Sequence, residues 1–209
     1  FVQSPSKQSI EPMVSVNLSN RPEVNNKSES SLNSPVKPNN PVIKQAGFNN
    51  PQEFVSTLWP IAQKVAAEMG VEPKAIVAQA ALETGWGKHI IHHQNGDNSH
   101  NLFGIKADKR WSGDVAKVST LEYRNGLAKK EVAPFRVYDS YESSLKDYAK
   151  FIKGGERYQE AVKEGRSIKS YSEGLQKAGY ATDPQYAKKI QRIAGGAVLN
   201  SAINQIKQG

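Results

Sequence analysis

The chain contains no cysteine among its 209 residues, which excludes disulfides, thiolate nucleophiles and cysteine-ligated zinc. An oxidising compartment stays open, because such a space does not require cysteine. Long apolar runs are also missing, and nothing approaches the roughly 20 residues of a membrane-spanning helix. The opening, FVQSPSKQSI, lacks the charged and apolar regions of a secretory leader. It also lacks an initiating Met, so a fragment of a longer protein is expected. Aromatic residues are absent between Phe1 and Phe48, a stretch that holds six of the eleven prolines and is dense in Ser and Asn. Such a segment buries too little apolar surface to offset its ordering entropy. Residues 1–46 therefore read as a disordered linker, and residues 47–209 as one folded domain.

What is abundant is positive charge. The net charge is +8, and the folded part holds most of it, with 23 basic against 17 acidic residues. This suits an anionic partner, whether nucleic acid, a membrane surface or an acidic cell-wall polymer, without choosing among them.

The folded part opens with helix signals: Asn50 as cap, Pro51 at the first helical position and Glu53 three residues after the cap. Phe54, Leu58, Ile61, Val65 and Met69 keep one face apolar, with Pro60 expected to kink the helix and Gly70 to end it. A second helix follows Pro73, with Ile76, Val77, Ala80 and Ala81 as its apolar stripe and Gly85 and Gly87 at its end. Residues 88–113 read as a polar loop. Two strand-like runs, 114–124 and 127–138, meet at Asn125-Gly126, the strongest short hairpin signal. Helical patterns then cover 140–153, 156–163, 168–178 and a last helix after Asp183-Pro184, in which Ala187, Ile190, Ile193, Ala194, Ala197 and Val198 share a face. Helices around one small hairpin predict an α+β fold, mainly α.

Glu83 carries the most information. It lies three residues after Ala80 on the apolar face of its helix, in the last turn, where the dipole disfavours a carboxylate. Burial and dipole both raise its pKa. A carboxyl held neutral near pH 7 is what protonation of a glycosidic oxygen requires. The plainer reading is an exposed Glu at a frayed end, or one paired with Lys88. Glu122, on the first strand, faces Lys129 across a two-residue turn. It reads either as an exposed cross-strand pair or as a second carboxylate on a hairpin that closes over a sugar. Asp147, beside the Leu145/Tyr148/Ile152 face, is a lesser candidate whose plainer role is a solvated helix face.

All four histidines fall within 89–100, but no HExxH arrangement or other ligand spacing accompanies them, so no metal is expected. No glycine-rich phosphate loop follows a strand, and no GxSxG elbow is present. Trp86, Phe103, Trp111, Tyr180 and Tyr186 sit at helix ends or in loops, where they could stack on sugar rings or fill a small core.

Three segments carry a resemblance. Ala80-Ala81-Leu82-Glu83-Thr84-Gly85-Trp86-Gly87 resembles the catalytic motif of the glycoside hydrolase 73 glucosaminidases, within the lysozyme-like group. Asn101-Leu102-Phe103-Gly104-Ile105-Lys106 is similar to the segment that follows it. Tyr180-Ala181-Thr182-Asp183-Pro184-Gln185-Tyr186 is similar to the family's late Tyr-rich motif. The resemblance spans about 48–196 and is strongest to the C-terminal half of the flagellar peptidoglycan hydrolases. It implies a lysozyme-like helical domain with a β-hairpin lobe flanking the cleft. It implies hydrolysis of β-1,4 bonds in peptidoglycan glycan strands, with Glu83 as general acid and Glu122 at the hairpin-carboxylate position. Tyr180 would line the cleft opposite the acid as an auxiliary group, with Tyr186 behind it; Asp147, read from its helix position alone, is the other auxiliary candidate. Trp86, Asn101, Phe103 and Trp111 would join the two tyrosines in binding sugar. The resemblance further implies a periplasmic, flagellum-associated monomer without cofactor, meeting rod proteins through an N-terminal domain absent from this sequence. The rivals are a lytic transglycosylase, a non-catalytic wall-binding module and, on charge alone, a nucleic-acid binder that no recognition motif supports.

Overall fold

The computed structural model describes residues 47–93, 95–124 and 127–208, and side chains within 120–130 lie outside that description. The segment read as a linker and the Asn125-Gly126 turn fall outside it too.

Helix α1 spans Pro51–Met69. Asn50 accepts the Glu53 N–H at 2.8 Å, while the Glu53 carboxylate reaches back to the Asn49 N–H at 2.9 Å. The cap is thus reciprocal, as the spacing predicts, but its return arm lands one residue earlier. The helix runs unbroken through Pro60, whose ring points to solvent, and Gly70 ends it at φ 71°.

Helix α2 spans Pro73–Thr84 and differs from the expected amphipathic stripe. Every residue from Ala75 to Ala81 is buried. This is the central helix, enclosed by α1 and, further along the chain, by α5 (Ile168–Lys177) and α6 (Tyr186–Gly195). A helix that is apolar all round belongs inside a core, and alanines let its neighbours approach closely.

Strands β1 (Val115–Arg124) and β2 (Leu127–Arg136) form one antiparallel hairpin, with Val115 opposite Arg136 and Glu122 opposite Lys129. The register is the one a two-residue turn dictates. The hairpin rests on its own small cluster of Ile91, Ala116, Val118, Ala133 and Phe135, separate from the main core. Its base is stitched to the preceding loop by Ala107 N–H to Pro134 O and Arg136 N–H to Ile105 O.

Helix α3 (Tyr141–Gly154) starts at the Ser140 cap. A 3₁₀ turn over Glu156–Tyr158 leads into the short α4 (Gln159–Lys163). The last helical pattern, expected as one helix, is two: α6 and α7 (Ala197–Gln208), broken at Gly196, whose backbone is extended. The break swings Val198 outward, and it is 52% exposed. Helix α7 then folds back on α1 and seals it with Leu199, Ala202 and Ile203. Among the described residues, no helix is long and apolar enough to cross a membrane.

Candidate active site

Glu83 stands in the last turn of the buried α2, and the three residues that follow the helix turn the chain away. Gly85, Trp86 and Gly87 are all left-handed, at φ 58°, 61° and 83°. Thr84 braces this turn by donating its hydroxyl to Ala80 O and accepting the Gly87 N–H. Gly87 is required by space as well as by φ, because a Cβ there would meet the Phe48 ring at 2.2 Å. Trp86 adopts this conformation with its ring set edge-on to Phe54 at 6.0 Å.

The Glu83 carboxyl accepts a 2.6 Å hydrogen bond at Oε1 from the Tyr186 hydroxyl, delivered by the first residue of α6. Burial pushes its pKa from 4.5 up to about 7, and the Tyr186 hydrogen bond opposes part of that rise. Glu83 as a residue nonetheless keeps part of its surface accessible. The expected order of the two tyrosines is reversed. Tyr186 touches the acid, whereas Tyr180 stacks on the Tyr186 ring at 5.8 Å and donates to Phe103 O at 3.0 Å. Two tyrosines six residues apart flank a turn, and sequence spacing does not say which one the following helix aims at the acid.

The Asn101–Lys106 segment wraps around this pair. Asn101 is buried and its amide is committed internally, donating to Ile105 O and Arg136 O and accepting the Ile105 N–H. The loop it closes holds Gly104 at φ 62°, where a Cβ would lie 3.8 Å from Glu83 Oε2. Phe103 is buried and stacks on Tyr148 at 3.9 Å.

A second group gathers at the hairpin base around the buried Arg136. Its guanidinium pairs with Asp147 at 2.8 Å and lies 4.9 Å from the Trp111 ring. Asp147 also accepts from the Tyr138 hydroxyl at 2.8 Å, and burial together with this carboxylate pushes the Tyr138 pKa up. Asp147 thus sits in an ion pair rather than on a solvated face. The Glu122 side chain lies outside the described residues. Among those described, no group of His, Asp or Glu could hold a metal ion.

The structure therefore brings Glu83, Tyr186, Tyr180, Phe103 and the Asn101 loop together, and gathers Asp147 and Trp111 around Arg136. Of the six sugar-binding candidates, only Trp86 and Trp111 keep appreciable exposed surface. Sequence reasoning missed Gln79, which lies fully buried four residues before Glu83 and bonds to Tyr186. Its signal was present: a lone amide inside the apolar run Ala75–Leu82.

A buried carboxyl at the end of a central helix, bonded by one tyrosine and backed by a second, in a mainly helical domain with one small hairpin, gives a lysozyme-like domain. The chain belongs to the glucosaminidase family described as mannosyl-glycoprotein endo-beta-N-acetylglucosaminidase, which matches residues 59–197. It is 52% identical over 147 residues to the peptidoglycan hydrolase FlgJ of Pseudomonas aeruginosa, covering 70% of this chain and 37% of that protein. Against FlgJ of Escherichia coli K12 it is 46% identical over 140 residues, covering 67% and 44%. The chain thus spans less than half the length of these relatives. A crystal structure of a peptidoglycan hydrolase mutant from Sphingomonas sp. A1 superposes with a TM-score of 0.70 at 44% identity, covering 74% of this chain and 99% of that one.

Proposed function

We propose that this domain hydrolyses β-1,4 glycosidic bonds within peptidoglycan glycan strands, with Glu83 as the general acid. The observation that carries the reading is the Glu83 carboxyl itself: held in the last turn of a buried helix, bonded by Tyr186, its pKa near 7. A large fraction of an acid so tuned carries its proton at neutral pH, and the carboxylate left behind keeps a hydrogen-bond donor. Glu122 is the second carboxylate, brought to the sugar by the hairpin, and either directs water or offsets oxocarbenium-like charge. Asn101 and Asp147 serve as scaffold for loop and hairpin, and Trp86 and Trp111 offer the ring faces for sugar. The net charge of +8 suits an acidic wall polymer. Relatives named peptidoglycan hydrolase FlgJ support a periplasmic, wall-directed role, which this reading extends to opening the wall for the flagellar rod.

The test is mass spectrometry of muropeptides released from purified sacculi, after borohydride reduction. Hydrolysis yields a reducible sugar end carrying the elements of water. An anhydro-sugar end would instead show a lytic transglycosylase, and no release would show a binding module.

A further inference from the structure

Behind Glu83 runs a chain of hydrogen bonds that crosses the core. Gln79 donates its amide N–H to the Tyr186 hydroxyl at 2.9 Å. The Gln79 carbonyl in turn accepts from the Tyr148 hydroxyl at 2.5 Å. Tyr148 lies 2.6 Å from the Tyr171 hydroxyl. Four elements contribute: α2, α3, α5 and α6. Gln79, Tyr148, Tyr171 and Tyr186 are all at most 1% exposed, so water does not compete.

The direction of the chain follows from its donors. With Tyr148 donating to the Gln79 carbonyl, the amide must present N–H to Tyr186. The Tyr186 oxygen is then occupied as an acceptor, and its single proton has one acceptor left among the described residues, Glu83 Oε1. The carbonyl oxygen of a neutral carboxyl is the stronger acceptor, so a bond received at Oε1 favours the carboxyl's own proton on Oε2. We infer that Gln79 is a positioning residue for Glu83: clamped by Tyr148, it commits Tyr186 to donating at Oε1 and so reserves Oε2 for the transferable proton. Oε2 is the oxygen that faces Gly104, where the missing side chain leaves an approach for a glycosidic oxygen. The proton passes from Oε2 to that oxygen as it takes the electron pair of the breaking C–O bond. Tyr186 keeps its proton and stabilises the carboxylate that remains.

The inference rests on Glu83 being the acid, so its test reads Glu83 directly as well as through turnover. The groups facing Glu83 are Tyr186 from α6 and Tyr180 from the preceding turn, and among the described residues no charged side chain shifts it appreciably. The Glu83 carboxyl carbon is titrated by ¹³C NMR in the whole chain, and the basic limb of kcat/KM is followed in parallel. Tyr186→Phe removes the donor and raises the Glu83 pKa by about one unit. Gln79→Met raises it in the same direction by about half a unit, because Tyr186 is then free to accept instead of donate. Tyr148→Phe does likewise by releasing the amide to turn over, and it serves as the second variant should Gln79→Met fold poorly. In Gln79→Met/Tyr186→Phe the pKa equals that of Tyr186→Phe alone, since Gln79 acts only through Tyr186. An unshifted Glu83 titration in folded Gln79→Met or Tyr148→Phe overturns the inference, as does full additivity in the double variant. Retained turnover in Glu83→Gln would instead overturn the assignment of the acid, while the NMR shifts still judge Gln79.

Discussion

Replacing Glu83 with Gln should stabilise the folded protein at high pH while removing its activity. In the native protein the Glu83 pKa is raised from 4.5 to about 7. A raised carboxyl pKa means that the unfolded chain releases this proton first. The contribution of the neutral carboxyl is therefore intact below about pH 4.5 and is lost progressively up to about pH 7, where the folded form ionises as well. A rise of about 2.5 units at about 1.36 kcal/mol each makes the full loss about 3 kcal/mol. Gln has the same shape, still accepts from Tyr186 and never ionises. Its stability relative to the native protein should thus rise by about 3 kcal/mol between about pH 4 and about pH 8. For a domain of this size that is about 6–12 °C in Tm. Paired thermal melts at the two pH values read the difference directly, and every other titrating group cancels in the comparison. An equal gap at both pH values would refute the claim that a buried carboxyl is being held neutral. Turnover of the same variant on sacculi should fall by about 10²–10⁴-fold, the range for loss of a general acid.

Three other outcomes are expected. Glu122→Gln should lose most activity with little change in Tm, and Lys129→Ala should keep most of it; equal, mild effects would reduce Glu122 to a cross-strand partner, since exposed pairs contribute about 0–1 kcal/mol. Asn101→Ala should cost about 2–4 kcal/mol in denaturant unfolding, because it leaves buried backbone groups of Ile105 and Arg136 without partners; an unchanged midpoint would return Asn101 to the role of a sugar ligand. Removing residues 1–46 should leave both Tm and cleavage of sacculi as they were, and a marked fall in either would mean that the segment packs on the domain.

Local chemistry made much of this legible in advance. Asn50, Pro51 and Gly70 bound α1, Pro73 and Gly85 bound α2, and the strands pair in the expected register, in which Glu122 meets Lys129. Glu83 stood out because a carboxylate on an apolar helix face calls for a reason. What stayed hidden depends on contacts between distant segments. The all-round burial of α2 comes from α5 and α6 closing over it, some 90 residues later. Asn101 looked like a loop amide free for a ligand, and only the fold shows its amide committed to the base of a hairpin 35 residues away. The break at Gly196 is invisible to periodicity, since Ala197 and Val198 continue the apolar pattern even as the backbone leaves the helix.

The hairpin's separate footing bears on how such a domain diversifies. The acid, its tyrosines and the amide behind them belong to the main helical core, whereas the hairpin stands on five side chains of its own and is tied down through Arg136, Asp147 and Asn101. Exchange of the hairpin between relatives therefore leaves the acid's surroundings untouched if those three anchors are kept. Opening by hydrogen exchange should likewise release the hairpin amides as a group before those of α2. The hairpin and the surroundings of Glu83 are then independent variables, and selection or design can change one without retuning the other.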